Sequence, residues 1–358
     1  MPSRESILVY RLGSLGDTCV ALPALRVIRR AYPLANITLL TNLPINIKAA
    51  PAPALVEGTG LIDDYLAYPV GTRNPWELAM LSWRLRARKF DAVVNLAEWR
   101  GARKLRRDAW FFRVAGIRRL IGFEADGDYE LRANSEGGSE REAARILRRV
   151  TALGAADLTD RRWFGLDLTA EELERGAAEL RAGGIAGGYL VVSVGTKVSA
   201  NDWGQERWRE LLEVLGPACG HLGCVFIGSP DEAQRAAKCL EPWLGPKLNL
   251  CGRTGVRLSA AILAGASVFV GHDSGPMHLA ASAGAPCVAI FAARNPPGKW
   301  FPLGEGHQVF YHRVSCMGCG LMECVAERKR CILSISVEEV AAAVLQRLGS
   351  AAPAREFN

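Results

Sequence analysis

Residues 270–284, "VGHDSGPMHLAASAG", place polar residues and glycine between an apolar run and a run of small residues. The pattern predicts a strand, a tight turn with Asp273, Ser274 and Gly275, and then a helix that carries His278 one turn after Ser274. Backbone N–H groups at a helix N-terminus bind anions, and glycine lets a phosphate approach closely. We predict an anion site here; the alternative is a capped helix and a packed histidine.

Spacing disfavours three other kinds of site. The residues around Ser274 at the spacing of a G-x-S-x-G nucleophile elbow are His272 and Pro276. The chain has no G-x-x-x-x-G-K-[ST] phosphate loop, and its first glycine-bearing turn, "GSLGD" (13–17), lacks the G-x-G-x-x-G of dinucleotide binding. A standard hydrolase, nucleoside triphosphatase or dehydrogenase is therefore disfavoured.

Four cysteines stand together near the C-terminus in the pattern C-x2-C-x4-C-x6-C. They are Cys316, Cys319, Cys324 and Cys331. Four thiolates this close suit a tetrahedral Zn²⁺ or iron, and four protein ligands make such a metal structural because no position stays open. The alternative is four free, unrelated thiols. The other six cysteines are scattered through helix-like and strand-like segments, as small hydrophobes are.

Strands and helices alternate around these residues. A strand at 6–12 ends in "GSLGD", a helix runs from about Thr18 to Tyr32, and a strand follows at 36–42. This βαβ order predicts a parallel sheet. The segment 154–169 lacks periodicity, and a second series begins with the strand at 188–195. Ligands of such sheets bind at the carboxyl ends of the strands.

The 358 residues suit two domains with α/β folds and parallel sheets. We predict one Rossmann-like domain at 1–165 and a second at 166–335 that includes the Cys-rich loop 316–331. A helix at 336–350 would pack back on the first domain, and residues 351–358 would form a disordered tail.

The chain carries 44 Lys and Arg against 37 Asp and Glu, a formal charge of +7 that favours acidic partners. Eight of these cations lie within residues 100–119. We interpret this segment as a surface for acceptor phosphates or carboxylates. The alternative is a solvated helix face backed by Trp110, Phe111 and Val114. Because no helix-turn-helix, zinc finger or RNA-recognition signature is present, nucleic acid is not the expected partner.

Hydropathy predicts a cytoplasmic protein. The longest apolar segments fall short of the roughly 18–20 residues that a membrane span needs. The amino terminus runs into a strand without the apolar core and cleavage site of a signal peptide. Any membrane contact is therefore expected to be peripheral, at the inner membrane.

Two long segments carry a family resemblance. "ILVYRLGSLGDTCVALPALRVIRRAYPLANITLLT" (7–41) and "GHDSGPMHLAASAGAPCVAIFA" (271–292) resemble the signature regions of glycosyltransferase family 9, the ADP-heptose:lipopolysaccharide heptosyltransferases. "DWGQERWRELLEVL" (202–215) and "ISVEEVAAAVLQRL" (335–348) fit as well. The resemblance implies the GT-B fold, two Rossmann-like domains facing across a cleft, with 1–165 as the acceptor domain and 166–335 as the nucleotide-sugar domain. It also implies inverting transfer from a nucleotide sugar without a catalytic metal.

The resemblance also implies roles for individual residues. Asp17 would be the general base, with a helix cap as its alternative role. Arg11 and Ser14 would lie beside the acceptor. The donor's sugar and diphosphate would be held by Asp273, Ser274, Gly275 and His278.

The resemblance implies two further donor contacts, one to the phosphates and one to the ribose. The phosphate contact departs from the family pattern. Asn201 stands where the family usually has a lysine for the donor phosphates. Lys197, four residues earlier, would supply that charge or is a surface lysine. Glu232 would face the nucleotide ribose.

Three functions remain open at this stage. The first is heptose transfer from ADP-heptose to an anionic lipopolysaccharide inner core. The second is heptose transfer to serine side chains of a protein, to which the cysteine pattern points. The third is an inactive nucleotide-sugar-binding protein, suggested by Asn201.

Overall fold

A computed structural model describes residues 4–42, 50–69, 71–124, 127–135 and 137–350. The chain divides into two compact units, unit 1 (Met1–Phe164) and unit 2 (Gly165–Asn358). The tail at 351–358, for which disorder is expected, lies outside the described residues.

Unit 1 is built on a five-stranded parallel sheet. Its strands are β1 (Ser6–Tyr10), β2 (Asn36–Asn42), β3 (Asp64–Tyr68), β4 (Ala92–Asn95) and β5 (Arg119–Ile121). Its helices are α1 (Leu15–Ala31), α2 (Pro53–Val56), α3 (Pro75–Arg88), α4 (Ala102–Val114) and α5 (Glu142–Arg148). The spatial order is β3-β2-β1-β4-β5, so the connection from β3 to β4 crosses the sheet and the order reverses at β1.

Unit 2 repeats this plan with six parallel strands. They are β6 (Tyr189–Ser193), β7 (Gly223–Phe226), β8 (Lys247–Asn249), β9 (Val268–His272), β10 (Cys287–Phe291) and β11 (Gln308–Tyr311). The helices are α6 (Ala170–Ala182), α7 (Gln205–Cys219), α8 (Ala233–Leu240), α9 (Val256–Ala264), α10 (Gly275–Ala283), α11 (Arg330–Leu333) and α12 (Val337–Ser350). The order β11-β10-β9-β6-β7-β8 reverses between β9 and β6.

The central strands are apolar because helices cover both faces of each sheet. All five residues of β6, β9 and β10 are buried. In a doubly wound sheet the ligand crevice lies at the carboxyl ends of the strands where the order reverses. The turns after β1 and β4 in unit 1, and after β6 and β9 in unit 2, are therefore the places to look for chemistry.

The final helix, α12, belongs to unit 2. It packs against α7, and Val340, Ala341 and Val344 are buried in the core that also contains Trp203 and Trp208. Its apolar face is thus buried within unit 2, and the expectation that this helix packs back on the first domain stays a prediction.

The basic helix α4 presents a different face from the one that the sequence suggested. Leu105, Ala109 and Phe112 form its buried face, at the helical spacing of i, i+4 and i+7. Trp110 and Val114 are exposed, so the predicted backing by these side chains is wrong. Among the described helices, none is long and apolar enough to cross a membrane.

Candidate active site

The turn after β1 in unit 1 holds Asp17 in a fixed place. Helix α1 begins at Leu15, earlier than Thr18, so Asp17 lies in the first helical turn with Ser14 as the N-cap. Asp17 Oδ2 accepts hydrogen bonds from Ser14 N (2.8 Å) and Ser14 Oγ (3.2 Å). Gly13 has φ +144, and a Cβ there would lie 2.3 Å from Asp17 Cβ. The glycine is therefore needed to fold the turn back on the carboxylate.

Arg11 lies beneath this turn. It is buried, and it donates from Nη1 to Leu96 O (2.7 Å) and from Nη2 to Asp17 O (2.8 Å). Its Nη2 is also 3.5 Å from Asp17 Oδ1. The Asp17 side chain keeps 34 % of its surface exposed. One carboxylate oxygen thus caps the helix, which is the alternative role of Asp17. The carboxylate nevertheless remains accessible to a substrate.

The turn after β9 in unit 2 has the opposite arrangement at its helix end. Ser274 is the N-cap of α10, but its Oγ lies 3.3 Å from His272 O and makes no capping bond. The first turn of α10 contains no acidic residue. An uncapped N-terminus with Gly275 at its start leaves backbone N–H groups and the positive dipole end available to an anion.

Two histidines flank this turn, and both are buried. His278 is 5 % exposed, and its ring lies 6.1 Å from that of Trp300 in an edge-to-face contact. This burial matches the packed histidine that was the alternative to a donor contact. His272 is fully buried and accepts a hydrogen bond from Trp203 N at Nε2 (3.0 Å). Burial lowers the pKa of His272 to about 4, so the ring is neutral near pH 7.

The loop after β6 is tied to the β9–α10 turn by Asn201. Its Nδ2 donates to Asp273 O (3.3 Å), and its Oδ1 has no hydrogen-bond partner in the described part of the chain. Asn201 is 3 % exposed, whereas Lys197 on the same loop is exposed. The neutral amide therefore serves as a link between two loops, and the cation stands farther out on the surface.

Glu232 is enclosed by two glycines from neighbouring strand ends. A Cβ on Gly195 or on Gly228 would lie 2.0 Å from its carboxylate. Ser229 N donates to Glu232 Oε2 (3.2 Å), and burial raises the pKa of this carboxyl. Only glycine allows the carboxylate to approach the backbone this closely. The two glycines that follow these strands are therefore the sequence signal for this contact.

The Cys-rich segment lies against the same loops of unit 2. Gly318 N donates to Ala293 O (2.8 Å) and Ala200 N donates to Met322 O (3.1 Å). Arg294 donates from Nε to Leu321 O (2.8 Å). The segment is thus fastened to the loop after β6, close in sequence to Asn201.

The zinc or iron site expected at the four thiols stays a prediction. In the described ranges no three His, Cys, Asp or Glu side chains come together as a group that could hold a metal ion. Cys319 is exposed, while Cys331 is half-buried. Burial raises the pKa of Cys331, and the Cys316 and Cys324 thiols add smaller contributions in the same direction. Main-chain bonds to neighbouring loops hold the segment in place, and these bonds need no metal.

The predicted residues therefore fall into two groups, one in each unit. In unit 1, Arg11, Ser14 and Asp17 share the turn after β1. In unit 2, the remaining predicted residues follow three neighbouring strands. They are Lys197 after β6, Glu232 after β7, and Asp273, Ser274, Gly275 and His278 after β9. The first group offers a carboxylate and a guanidinium, and the second offers an anion site and, after β7, a half-buried carboxyl.

Comparison with known proteins adds a family and a fold. Residues 79–329 match the model of glycosyltransferase family 9 (heptosyltransferase). Lipopolysaccharide heptosyltransferase 3 of Escherichia coli K12 is 23% identical over 366 residues, 96% of this chain and 98% of that protein.

Solved structures are similar along nearly the whole chain. The structure of E. coli ADP-heptose lipopolysaccharide heptosyltransferase II matches with a TM-score of 0.67 at 17% identity, covering 96% of this chain and 98% of that one. The iron-containing dodecameric glycosyltransferase TibC from enterotoxigenic E. coli H10407 matches with a TM-score of 0.56 at 13% identity, covering 97% and 77%. These likenesses, with the two parallel sheets, give the GT-B fold.

Proposed function

Because this chain belongs to glycosyltransferase family 9 and is a glycosyltransferase, we propose that it transfers heptose from ADP-heptose to an anionic acceptor of the lipopolysaccharide inner core. The donor is proposed from the printed names of its relatives, which are lipopolysaccharide heptosyltransferases. The transfer inverts the anomeric carbon and takes place at the inner face of the membrane.

One observation carries this proposal. Each sheet has a motif-bearing turn at the strand end where the order reverses, with an accessible carboxylate in unit 1 and an uncapped helix N-terminus in unit 2. A single displacement at an anomeric carbon needs these two elements, a base for the acceptor hydroxyl and a positive environment for the departing diphosphate.

In unit 2, the groups after β9 receive the donor. The N-terminus of α10 binds the diphosphate, and the helix dipole stabilises the charge that grows on the diphosphate as the C–O bond to the sugar breaks. Lys197 supplies a further positive charge from the neighbouring loop. Glu232, whose pKa is raised by burial, faces the ribose hydroxyls.

In unit 1, Asp17 acts on the acceptor. Its carboxylate takes the proton of the acceptor hydroxyl while that oxygen bonds to the anomeric carbon and ADP leaves with the former bonding electrons. The bonds from Ser14 hold the carboxylate in one orientation, and Arg11 fixes the turn from below. Preorganisation of this kind lowers the entropic cost of reaching the transition state.

The test is release of ADP from ADP-heptose by the purified full chain. It is run with truncated lipopolysaccharide core, with a serine-containing acceptor protein, and with neither. Release that depends on the lipopolysaccharide core supports the proposal. Release that depends on the protein instead would overturn the acceptor assignment and favour protein modification. Binding of ADP-heptose without release in any arm would favour the inactive binding protein and overturn the proposal.

A further inference from the structure

A second polar pocket lies in unit 1, beside the carboxyl end of β4. It is lined by residues of the β4–α4 connection, among them Trp99, Arg100 and Gly101. Lys104 of α4 and Arg149, the C-cap residue that follows α5, also line it. It is next to the sheet's reversal point, because β4 pairs with β1 there. None of the residues assigned above to the reaction lines it.

Arg149 is the unusual group in this pocket. It is 3 % exposed, and neither its Nε nor its Nη1 has a hydrogen-bond partner within the described residues. Its guanidinium lies over the ring of Tyr129, 4.6 Å from the centroid. Burial, with a smaller contribution from the neighbouring Arg145, lowers the pKa of Arg149 to about 9. A buried cation that lacks a counter-ion costs free energy unless a ligand compensates it.

The surrounding charges leave Arg149 without an anion of its own. Arg145 takes up the buried carboxylate of Glu142, with Nε to Oε2 at 2.8 Å and Nη2 to Oε1 at 2.5 Å. Arg11, which is also buried, lies beside Asp17. Glu142 and Asp17 are thus engaged by Arg145 and Arg11, and among the described residues no ion pair joins Arg149 to a carboxylate.

Helix α4 directs its N-terminus toward the same pocket. Its N-cap is Gly101, which has no side chain to cap the first turn, and that turn contains no acidic residue. With 13 residues, the helix is long enough to have a macrodipole. Two acidic side chains also line the pocket, Glu98 and Asp108. Asp108 is paired with Arg100 (3.1 Å) and Arg107 (2.6 Å), so its charge is already taken up.

We propose that this pocket binds a carboxylate or phosphate group of the acceptor, between the Arg149 guanidinium and the N-terminus of α4. The identification of the ligand as the acceptor rests on the proposed function. The anion site itself is inferred from the geometry of unit 1 alone. The exposed cations of α4, such as Arg103 and Arg106, then serve as a collecting surface. The pocket selects an acceptor that carries an anion a short distance from its reactive hydroxyl.

The first experiment measures anion binding without any transfer. Hydrogen–deuterium exchange of residues 95–105 is followed at constant ionic strength with inorganic phosphate, with acetate, or with chloride only. Using a peptide-resolved readout separates this pocket from anion binding at α10. The variants are Arg149→Gln and Arg149→Lys. The matched control is Arg113→Gln, because Arg113 is an exposed cation on the last turn of α4, away from the pocket at the start of that helix.

We expect phosphate or acetate to slow exchange at 95–105 in the parent chain and in Arg113→Gln, and to have no effect in Arg149→Gln. Arg149→Lys keeps the charge and should respond in part. The anion that acts at the lower concentration identifies the group on the acceptor. The melting temperature of each variant is measured alongside, so that loss of the Tyr129 contact is distinguished from loss of anion binding. Protection that persists in Arg149→Gln, or that is absent in the parent chain, overturns the proposal.

A kinetic measurement separates this inference from the proposed function. In acceptor-dependent ADP release, Arg149→Gln should raise the acceptor KM by about tenfold or more while the donor KM stays unchanged, since a charge-assisted hydrogen bond is lost. If lipopolysaccharide core elicits no ADP release but phosphate still protects residues 95–105, the proposed function fails and the anion pocket stands. An equal rise in donor and acceptor KM would contradict the pocket's role.

Discussion

The turn after β1 and the turn after β9 each lie at the point where the strand order of their sheet reverses, but their helix N-termini differ. In unit 1, Asp17 bonds to Ser14 N and covers the start of α1 with a negative charge. In unit 2, Ser274 turns its hydroxyl to His272 O and leaves the start of α10 uncovered. One architecture thus presents a carboxylate in one unit and a site for an anion in the other. The capping residue decides which of the two chemistries a Rossmann-like turn supports.

The largest effect is expected from Gly13→Ala. The new Cβ would lie 2.3 Å from Asp17 Cβ, at a φ of +144 that favours glycine. Because both Cβ atoms are fixed by the backbone, the turn must open, and we expect a loss of several kcal/mol in unfolding free energy together with loss of activity.

Gly195→Ala is the matched change in unit 2. Its Cβ meets the far end of the Glu232 side chain, which can swing aside. It should therefore leave the melting temperature nearly unchanged and raise the donor KM. Thermal unfolding gives the melting temperature of both variants, and donor titration gives their donor affinity. Equal loss of melting temperature in Gly13→Ala and Gly195→Ala would contradict the predicted difference between the two turns.

Acid should weaken unit 2 through His272. All five histidines of the chain lie in unit 2. Because the pKa of His272 falls from 6.5 to about 4 on folding, protonation favours the unfolded state. Stability is retained above pH 6.5 and lost between pH 6.5 and 4, by about 3 kcal/mol at most.

Hydrogen exchange of β9 as a function of pH measures this loss. His272→Gln should flatten the change between pH 6.5 and 4 relative to the parent chain. Exchange in β1 of unit 1 provides the internal reference, because no histidine lies in that unit. An unchanged pH profile in the variant would contradict a buried neutral His272.

A smaller effect is expected when the arrangement of unit 1 is introduced into unit 2. Ser274→Asp places a carboxylate at the N-cap of α10, which should stabilise unit 2 by about 1 kcal/mol. The same charge repels the diphosphate, so we expect donor affinity to fall by about tenfold. Ser274→Asn is the control, because it caps the helix without charge. Calorimetric titration with ADP should show weaker binding to the aspartate variant alone; a similar loss in both variants would mean that capping rather than charge matters.

Local patterns predicted much of the fold. Strand β2 has the bounds expected from its sequence. Thr169 and Glu172, three residues apart at the start of α6, have the sequence signature of a capping box, and Thr169 N donates to Glu172 Oε2 (2.9 Å). Both depend on neighbouring residues only. Elements without such signals, such as β3 and α3, were not predicted. Strand β3 has only one fully buried residue in five, so its apolar pattern is weak.

Parts of the candidate site were beyond sequence reasoning for a different reason. Asn201 and Asp273 are 72 residues apart in the chain, and their hydrogen bond follows from strand order, which no local pattern encodes. The unpartnered charge of Arg149 likewise depends on which cations pair with Glu142 and Asp17. The metal site stays a prediction, because cysteine spacing alone does not specify whether four thiols converge on one point.

The most direct test of the central claim, that Asp17 is the base in unit 1, compares Asp17→Asn with Asp17→Ala in acceptor-dependent ADP release. Asparagine can still accept the hydrogen bond from Ser14 N but cannot take a proton, whereas alanine loses both functions. We predict that both variants lose about 10²- to 10⁴-fold in kcat, and that only the alanine variant also loses stability, by about 1 kcal/mol. An asparagine variant that retains the parent kcat would contradict the account and leave Asp17 as a helix cap.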